Sequence, residues 1–424
     1  MWAKTIAMGV IGLFGVAALG ACGPAGDSSD AGRAIDVPAV VPERLDFSGH
    51  PSVFSAALPA GHGHWSAYDC LPGFSFDGAE TVYAMELTAP GQLAAEIEVM
   101  AGANAAVVVV DPSEGQVQCV AGGTRRAVAE DLDAGVYWII VDAAASASPS
   151  VEYRLAVEPD LYDQWVERDV APGIVWQRFL GRESAQSINV LRISKAARTG
   201  GAEVGGVYAG GRCETVGSMG RREGALAGVN ASFHTRMSES GSTTAATHGQ
   251  PLLVTRCEPE SGMVKVDGTV HTPNRGTRLT LGADPTGEVR MESIRENDPW
   301  NAMPTAFGGD PSLIPYEDVG DVAHIVNPRT AVGLAEDEQL IIVTVDGRTS
   351  VGDGLTLPEM AALLRSLGAK QAINLDGGGS STMWIAGTTL SGVVNYPSDG
   401  WDGTTPPDHE QSRRVSDGLF IFAN

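Results

Sequence analysis

The chain has 424 residues, 43% hydrophobic and 19% charged, too many for one ordinary core, so two or three domains are expected. A formal net charge of −24 excludes a nucleic-acid-binding surface, which needs a basic face, and suits a soluble extracytoplasmic protein.

The first element is a targeting segment. Lys4 supplies the positive start, Ile6 to Leu19 the apolar run, and a polar Gly/Ser/Asp stretch follows, so a cleaved signal is favoured over a membrane span. Leu19-Gly20-Ala21-Cys22 resembles a bacterial lipobox, which implies cleavage after residue 21 and lipidation of Cys22. The expected localisation is therefore the bacterial cell envelope, lipid-anchored at the outer membrane or cell surface, with Gly23 compatible with outer-membrane sorting. Residues 22–45 read as a flexible linker rich in Gly, Ser, Asp, Ala and Pro.

Residues 46–158 read as an all-β sandwich. Short strands recur at Thr81–Leu87, Leu93–Val99, Ala106–Val110, Val136–Val141 and Glu152–Val157, with turn signals such as Asp111-Pro112 and Asp133-Ala134-Gly135 between them. The segment resembles the pre-peptidase C-terminal type of domain found beside catalytic domains in secreted bacterial hydrolases. With Cys22 assigned to lipid, Cys70, Cys119, Cys213 and Cys257 remain, an even set that reads as disulfides in an exported protein. Of three possible pairings, Cys70–Cys119 and Cys213–Cys257 are favoured because each stays inside one predicted domain. No cysteine spacing suits zinc, and no metal or other cofactor is expected.

From residue 160 to 424 the pattern becomes mixed α/β around a central sheet, making the whole chain α+β. Strand Leu340–Val345 ends at Asp346, a helix follows from Pro358 with Met360, Leu363, Leu364 and Leu367 on one face, and strand Gln371–Leu375 ends at Asp376. A strand–helix–strand unit predicts parallel strands, which would put Asp346 and Asp376 on the same carboxyl edge of the sheet, where ligands of such sheets bind. Asp376 opens the run Asp376-Gly377-Gly378-Gly379-Ser380-Ser381, in which three adjacent glycines suggest an anion nest. Arg329, Thr330, Arg348 and Arg413 are candidate phosphate or substrate contacts, since a guanidinium is the natural bidentate partner of phosphate. Asn230, in Gly228-Val229-Asn230-Ala231-Ser232-Phe233-His234, can orient a sugar hydroxyl or a phosphate oxygen.

Together these segments resemble the phosphodiester glycosidase family. Asn230–Phe233, Phe307–Pro311, Arg329–Gly333, Val345–Arg348 and residues 374–381 match its motifs, the last one completely. The resemblance covers about 190–424 and implies a hydrolase cleaving the glycosidic bond of sugar-1-phosphodiesters on glycans or cell-envelope polymers. In that reading Asp376, Asp346 and Asn230 are catalytic, while Gly377, Gly378, Gly379, Ser380 and Ser381 bind phosphate together with the arginines. The family's usual Gly-Gly after the asparagine is here Ala231-Ser232, its Glu-Arg-Pro-Val is Ser412-Arg413-Arg414-Val415, and a following Asn is Asp417. His409 and Glu410 are candidates to replace the missing glutamate. The expected partners are a phosphorylated glycan and, through the lipid, a membrane. Two rival classes are a metal-dependent phosphodiesterase using both aspartates as ligands and a non-catalytic surface glycan-binding lipoprotein.

Overall fold

The computed structural model describes residues 42–45, 52–59, 61–76, 78–101, 104–113, 117–144, 150–238, 254–399, 401, 403 and 407–423. The signal, Cys22 and most of the linker lie outside these residues. The described chain is mostly strand, 53% against 9% helix, arranged in several sheets.

The N-terminal unit contains β1 (Glu43–Arg44), β2 (Ser52–Leu58), β3 (Glu80–Leu87), β4 (Gly91–Ala101), β5 (Ala105–Asp111), β6 (Gln118–Gly123), β7 (Arg126–Leu132), β8 (Gly135–Ala143) and β9 (Val151–Leu161). They form sheets ordered β1-β3-β8-β5-β6 and β2-β9-β4-β7. Alternate residues of both sheets meet in one apolar cluster that includes Tyr83, Leu93, Val107, Ile139, Tyr153 and Leu155, as expected where one face of each strand is buried. Cys70–Cys119 closes a loop onto β6 with Cα atoms 5.6 Å apart.

The remainder begins with β10 (Trp165–Ala171), β11 (Ile174–Gly181), β12 (Gln186–Ile193), α1 (Lys195–Thr199), β13 (Glu203–Tyr208), β14 (Glu214–Thr215), α2 (Val216–Glu223), β15 (Ala225–Asn230), β16 (Phe233–Ser238) and β17 (Val254–Ser261). Then come β18 (Val264–Val266), β19 (Thr269–Thr272), β20 (Arg278–Ala283), β21 (Val289–Ile294) and β22 (Thr305–Gly308), which form one sheet ordered β19-β18-β22-β20-β21. The chain continues through β23 (Ser312–Ile314), β24 (Arg329–Ala335), β25 (Leu340–Val345), α3 (Leu357–Ser366), β26 (Ala369–Asn374), β27 (Met383–Ile385), β28 (Arg414–Val415) and β29 (Asp417–Phe422). Sheets ordered β10-β11-β12-β25-β24-β26-β23 and β13-β29-β15-β27 complete the frame. The seven-stranded sheet packs one face on a large core shared with the other two sheets and the other face on α3.

The strand–helix–strand unit forms as the periodicity predicts. Thr356 caps α3 in a reciprocal capping box with Glu359, and Leu357, Met360, Ala361 and Leu364 are buried on the sheet. Its two strands run in the same direction but are not neighbours, because β24 lies between them and pairs antiparallel with both. The sheet is therefore antiparallel at every pairing, not parallel, and Arg329 at the start of β24 sits between the ends of β25 and β26. The two acids still share one edge.

The N-terminal unit is joined tightly to the rest. β9 runs to Leu161, past the expected boundary at residue 158. At the junction Arg178 of β11 pairs with Asp160 of β9 at 3.1 Å and lies 5.1 Å from the Tyr396 ring centroid, while Gln92 of β4 donates to Asp160 and to the Tyr396 hydroxyl.

Candidate active site

The edge where β24, β25 and β26 meet is built outward from Asn230. This side chain is fully buried at the end of β15. Its Nδ2 donates to the Asp376 carbonyl at 2.6 Å, and its Oδ1 accepts from Thr330 Oγ1 at 2.9 Å and from the Thr382 amide at 3.0 Å. The Asp376 amide donates back to Ala231 O at 2.8 Å. An amide group that meets three strand ends in a dry site fixes all three, because leaving any of these groups unpaired costs about 1–3 kcal/mol. Asn230 and Thr330 thus set the position of Asp376, and neither side chain faces the opening.

Asp376 itself is 15% exposed, and its Oδ2 lies 3.3 Å from Nδ1 of His234, whose side chain is only 1% exposed. Neither ring nitrogen of His234 has a hydrogen-bond partner among the described residues, and the same is true of the buried Ser381 Oγ. Buried polar atoms are nearly always paired, so the imidazole of His234, with the Asp376 carboxylate beside it, is free to exchange a proton with that carboxylate or with a bound water. His234 was not among the residues singled out from sequence. The signal that finds it is the period of two in β16, which puts His234 and Arg236 on one face.

Arg413 approaches from the other side. Its Nε and Nη2 donate to Asp399 at 2.8 Å each and its Nη1 to Ser380 Oγ at 3.3 Å, while Arg236 Nη1 stands 3.9 Å from the same aspartate. Burial pushes the Arg236 guanidinium down, and the neighbouring Arg413 charge pushes it further. Asp399 therefore orients the arginine that follows Ser412. His409 and Glu410 do not substitute for a glutamate here: His409 is buried against Glu158 and Glu410 pairs with Arg125.

The glycine run also answers to steric demands beside the expected nest. The Gly378 amide donates to Pro328 O at 2.8 Å, and the Ser380 and Ser381 amides donate to Gly377 O and Gly378 O. Of the three glycine amides, that of Gly378 is thus spent within the loop. A Cβ at Gly377 would stand 2.8 Å from Pro328 O, one at Gly378 would lie 3.4 Å from the Arg348 guanidinium, and one at Gly379 would collide with Arg413 and Asp399. Gly378 also has φ +59°, which favours glycine. The bare backbone at Gly379 is clearance for Arg413 and Asp399, and at Gly378 it allows the positive φ.

On the Arg348 side, that guanidinium donates to Asn327 Oδ1. Arg329 is 8% exposed and donates through Nε to Leu355 O at 2.9 Å and through Nη2 to Ile325 O at 2.6 Å. Burial, with the Arg348 charge second, pushes its pKa down to about 10. Among the described residues the hydrogen-bond partners of Arg329 are uncharged carbonyls, which leaves its charge unbalanced beside a second cation, an anion-attracting arrangement.

Asp346 faces inward. It is 1% exposed and accepts from Ser187 Oγ at 2.6 Å, Asn395 Nδ2 at 2.8 Å and the Tyr396 amide at 3.0 Å. Burial raises its pKa, with these three donors opposing. Its lone pairs are committed to fixing the 395–396 loop, so it stands behind the site and not in it. The departures from the family motif are paired in space: the Ser232 amide and hydroxyl both donate to Asp417, which also accepts from Ser416 Oγ. Cys213–Cys257, with Cα atoms 4.9 Å apart, ties the β16–β17 hairpin that carries His234 and Arg236 to the strand leading into α2. Among the described residues there is no group of three or more His, Cys, Asp or Glu placed to hold a metal ion.

Residues 223–422 match the sequence model of the family described as phosphodiester glycosidase. Over 76 residues the chain is 47% identical to the N-acetylglucosamine-1-phosphodiester alpha-N-acetylglucosaminidase of Mus musculus and 42% identical to that of Homo sapiens, each alignment covering 18% of this chain and 14% of the relative. It is 34% identical over 92 residues to the SPbeta prophage-derived uncharacterized protein YomE of Bacillus subtilis (strain 168), covering 19% and 14%. The chain thus spans only 14% of the length of these curated relatives. The solved catalytic domain of the zebrafish N-acetylglucosamine-1-phosphodiester alpha-N-acetylglucosaminidase, auto-inhibited by its pro-peptide, aligns at 19% identity and TM-score 0.42, covering 62% of this chain and 82% of that one. Residues 223–422 of this chain belong to the phosphodiester glycosidase family.

Proposed function

We propose that the chain hydrolyses sugar-1-phosphodiesters at the glycosidic bond. The observation that carries this reading is the Asp376–His234 pair, set at 3.3 Å between arginines on both sides of a backbone stripped of side chains. Water adds to the anomeric carbon, and Asp376, with His234 beside it, takes the water's proton. The C1–O bond breaks, and its electron pair leaves on the phosphate as a phosphomonoester. Arg348 and Arg413 balance the charge on the departing group, and Arg329 adds to the field from behind. A phosphate monoester leaves more readily than an alkoxide, so this scheme needs no strong general acid on the leaving side.

Asn230, Thr330 and Asp346 serve in this scheme as positioning residues. They lock the ends of β15, β24 and β25, which keeps Asp376 and the loop to Ser381 within the tolerance that catalysis requires. Hydrolysis in oxygen-18 water tests the bond cleaved. Label in the released sugar is expected; label in the phosphate overturns the glycosidase reading in favour of P–O cleavage.

A further inference from the structure

A buried ionic layer joins the N-terminal unit to the site. His409 is completely buried, with Nε2 2.7 Å from Glu158 Oε2 on β9 and Nδ1 2.7 Å from Asn395 O. A carbonyl oxygen can only accept, so Nδ1 carries a proton, and with Glu158 held ionised Nε2 carries the other, making His409 an imidazolium. Asn395 is the next link. Its Nδ2 donates both to Asp346 Oδ1 at 2.8 Å and to Ser381 O at 3.0 Å, and its Oδ1 accepts the Met383 amide at 2.8 Å. One residue thus clamps Asp346 to the end of the glycine run, and its own carbonyl is held by His409, which Glu158 of the N-terminal unit holds in turn.

Of the other groups facing His409, Glu96 favours that charge and Arg178 opposes it. Glu96 of β4 pairs with Arg126 of β7 at 2.9 Å, Arg178 of β11 pairs with Asp160, Glu410 adjoins in sequence, and the Tyr396 ring stacks on the imidazole at 4.5 Å between centroids. Burial alone would lower the His409 pKa, but Glu158 overcomes it and holds it above the ordinary histidine value. Burial likewise pushes Glu158 up, and His409 outweighs it to hold the carboxyl low.

We propose that Glu158 and His409 are positioning residues for the active site: their ion pair, contributed by two different units, locks Asn395 and through it Asp346 and the loop ending at Ser381. The inference rests on the hydrolase reading above. The N-terminal unit is then part of the catalytic apparatus and not an appendage, since the carboxylate that holds the proton on His409 belongs to it. Loss of the His409 proton removes one of two hydrogen bonds and frees the Asn395 peptide to shift.

The test uses the full chain, with Glu158→Gln and His409→Gln assayed on a GlcNAc-1-phosphodiester across pH alongside wild type. We expect kcat to fall about 10- to 100-fold in both, the cost of a small misplacement, with KM nearly unchanged. The alkaline limb of the wild-type profile should move to lower pH in Glu158→Gln and vanish in His409→Gln, which a purely structural loss would not produce. Folded variants with wild-type kcat and an unmoved limb overturn the proposal. Should a variant fail to fold, the wild-type His409 ring titration followed by nitrogen NMR replaces it: a midpoint away from the alkaline limb overturns the proposal, and coincidence supports it. If wild type shows no turnover, the hydrolase reading falls. Amide exchange of residues 375–381 then decides, with faster exchange in His409→Gln supporting the clamp and equal exchange overturning it.

Discussion

Asp376 and His234 meet where β15, β16 and the end of β26 converge, and Asn230 holds that corner from beneath. Asp376→Asn should lower kcat about 10²- to 10⁴-fold, the usual worth of a positioned acid–base group, with an unchanged melting temperature. His234→Gln should fall in the same direction; a kcat equal to wild type would remove the imidazole from the chemistry. The sequence marks Asp376 well, because a run of three glycines after an acid is rare by chance and local in the chain. It marks the reason for those glycines poorly. Gly379 is small because Arg413, distant in sequence, passes beside it, and Gly378 because its backbone takes a positive φ. Asp346 illustrates the same difficulty: an Asp-Gly after a strand reads alike whether its carboxylate faces solvent or, as here, Ser187 and Asn395.

Among elements, the β16–β17 hairpin supplies two of the site's side chains while contributing little to the large core. It is anchored by Cys213–Cys257 and by the Cys257 amide donating to Gly211 O at 3.3 Å. A paired Cys213→Ser, Cys257→Ser variant should lose about 2–4 kcal/mol of stability and lose kcat disproportionately, as the hairpin loosens before the sheets do. Thermal unfolding and kinetics on the same sample check this, and an unchanged kcat would show that the hairpin is held by other contacts. Legibility followed locality here too. Periodicity and composition mark α3 and the all-buried β25, and the bulky strands β3, β4, β5, β8 and β9 of the N-terminal unit are legible to within a few residues. β2, β6 and β7 are not, since SVFSAAL, QCVAGG and RAVAEDL carry small or charged residues where a strand pattern needs bulk. The insertion of β24 between β25 and β26 is a matter of strand order, which no local pattern encodes.

For the whole molecule, the Glu158–His409 pair predicts a pH dependence of stability. His409 has a raised pKa in the folded state, so its contribution is complete below the ordinary histidine value near 6.5 and is lost as pH rises through the folded value. The melting temperature should therefore decline on the alkaline side in wild type and decline less in His409→Gln; parallel curves would show that another group governs that limb. Favourable pairing also makes each partner costly when alone, because a buried charge stripped of its counter-ion destabilises far more than the pair stabilises. The acids Glu158 and Asp160 come from one unit, while Arg178 and His409 come from the other. The C-terminal part is for that reason not a transplantable module: a truncation at residue 160 leaves an imidazolium and a guanidinium without partners at a newly bared face. Expression of the family-matching segment by itself would mix that electrostatic injury with any loss of function, and the smallest faithful unit for engineering includes β4, β7 and β9.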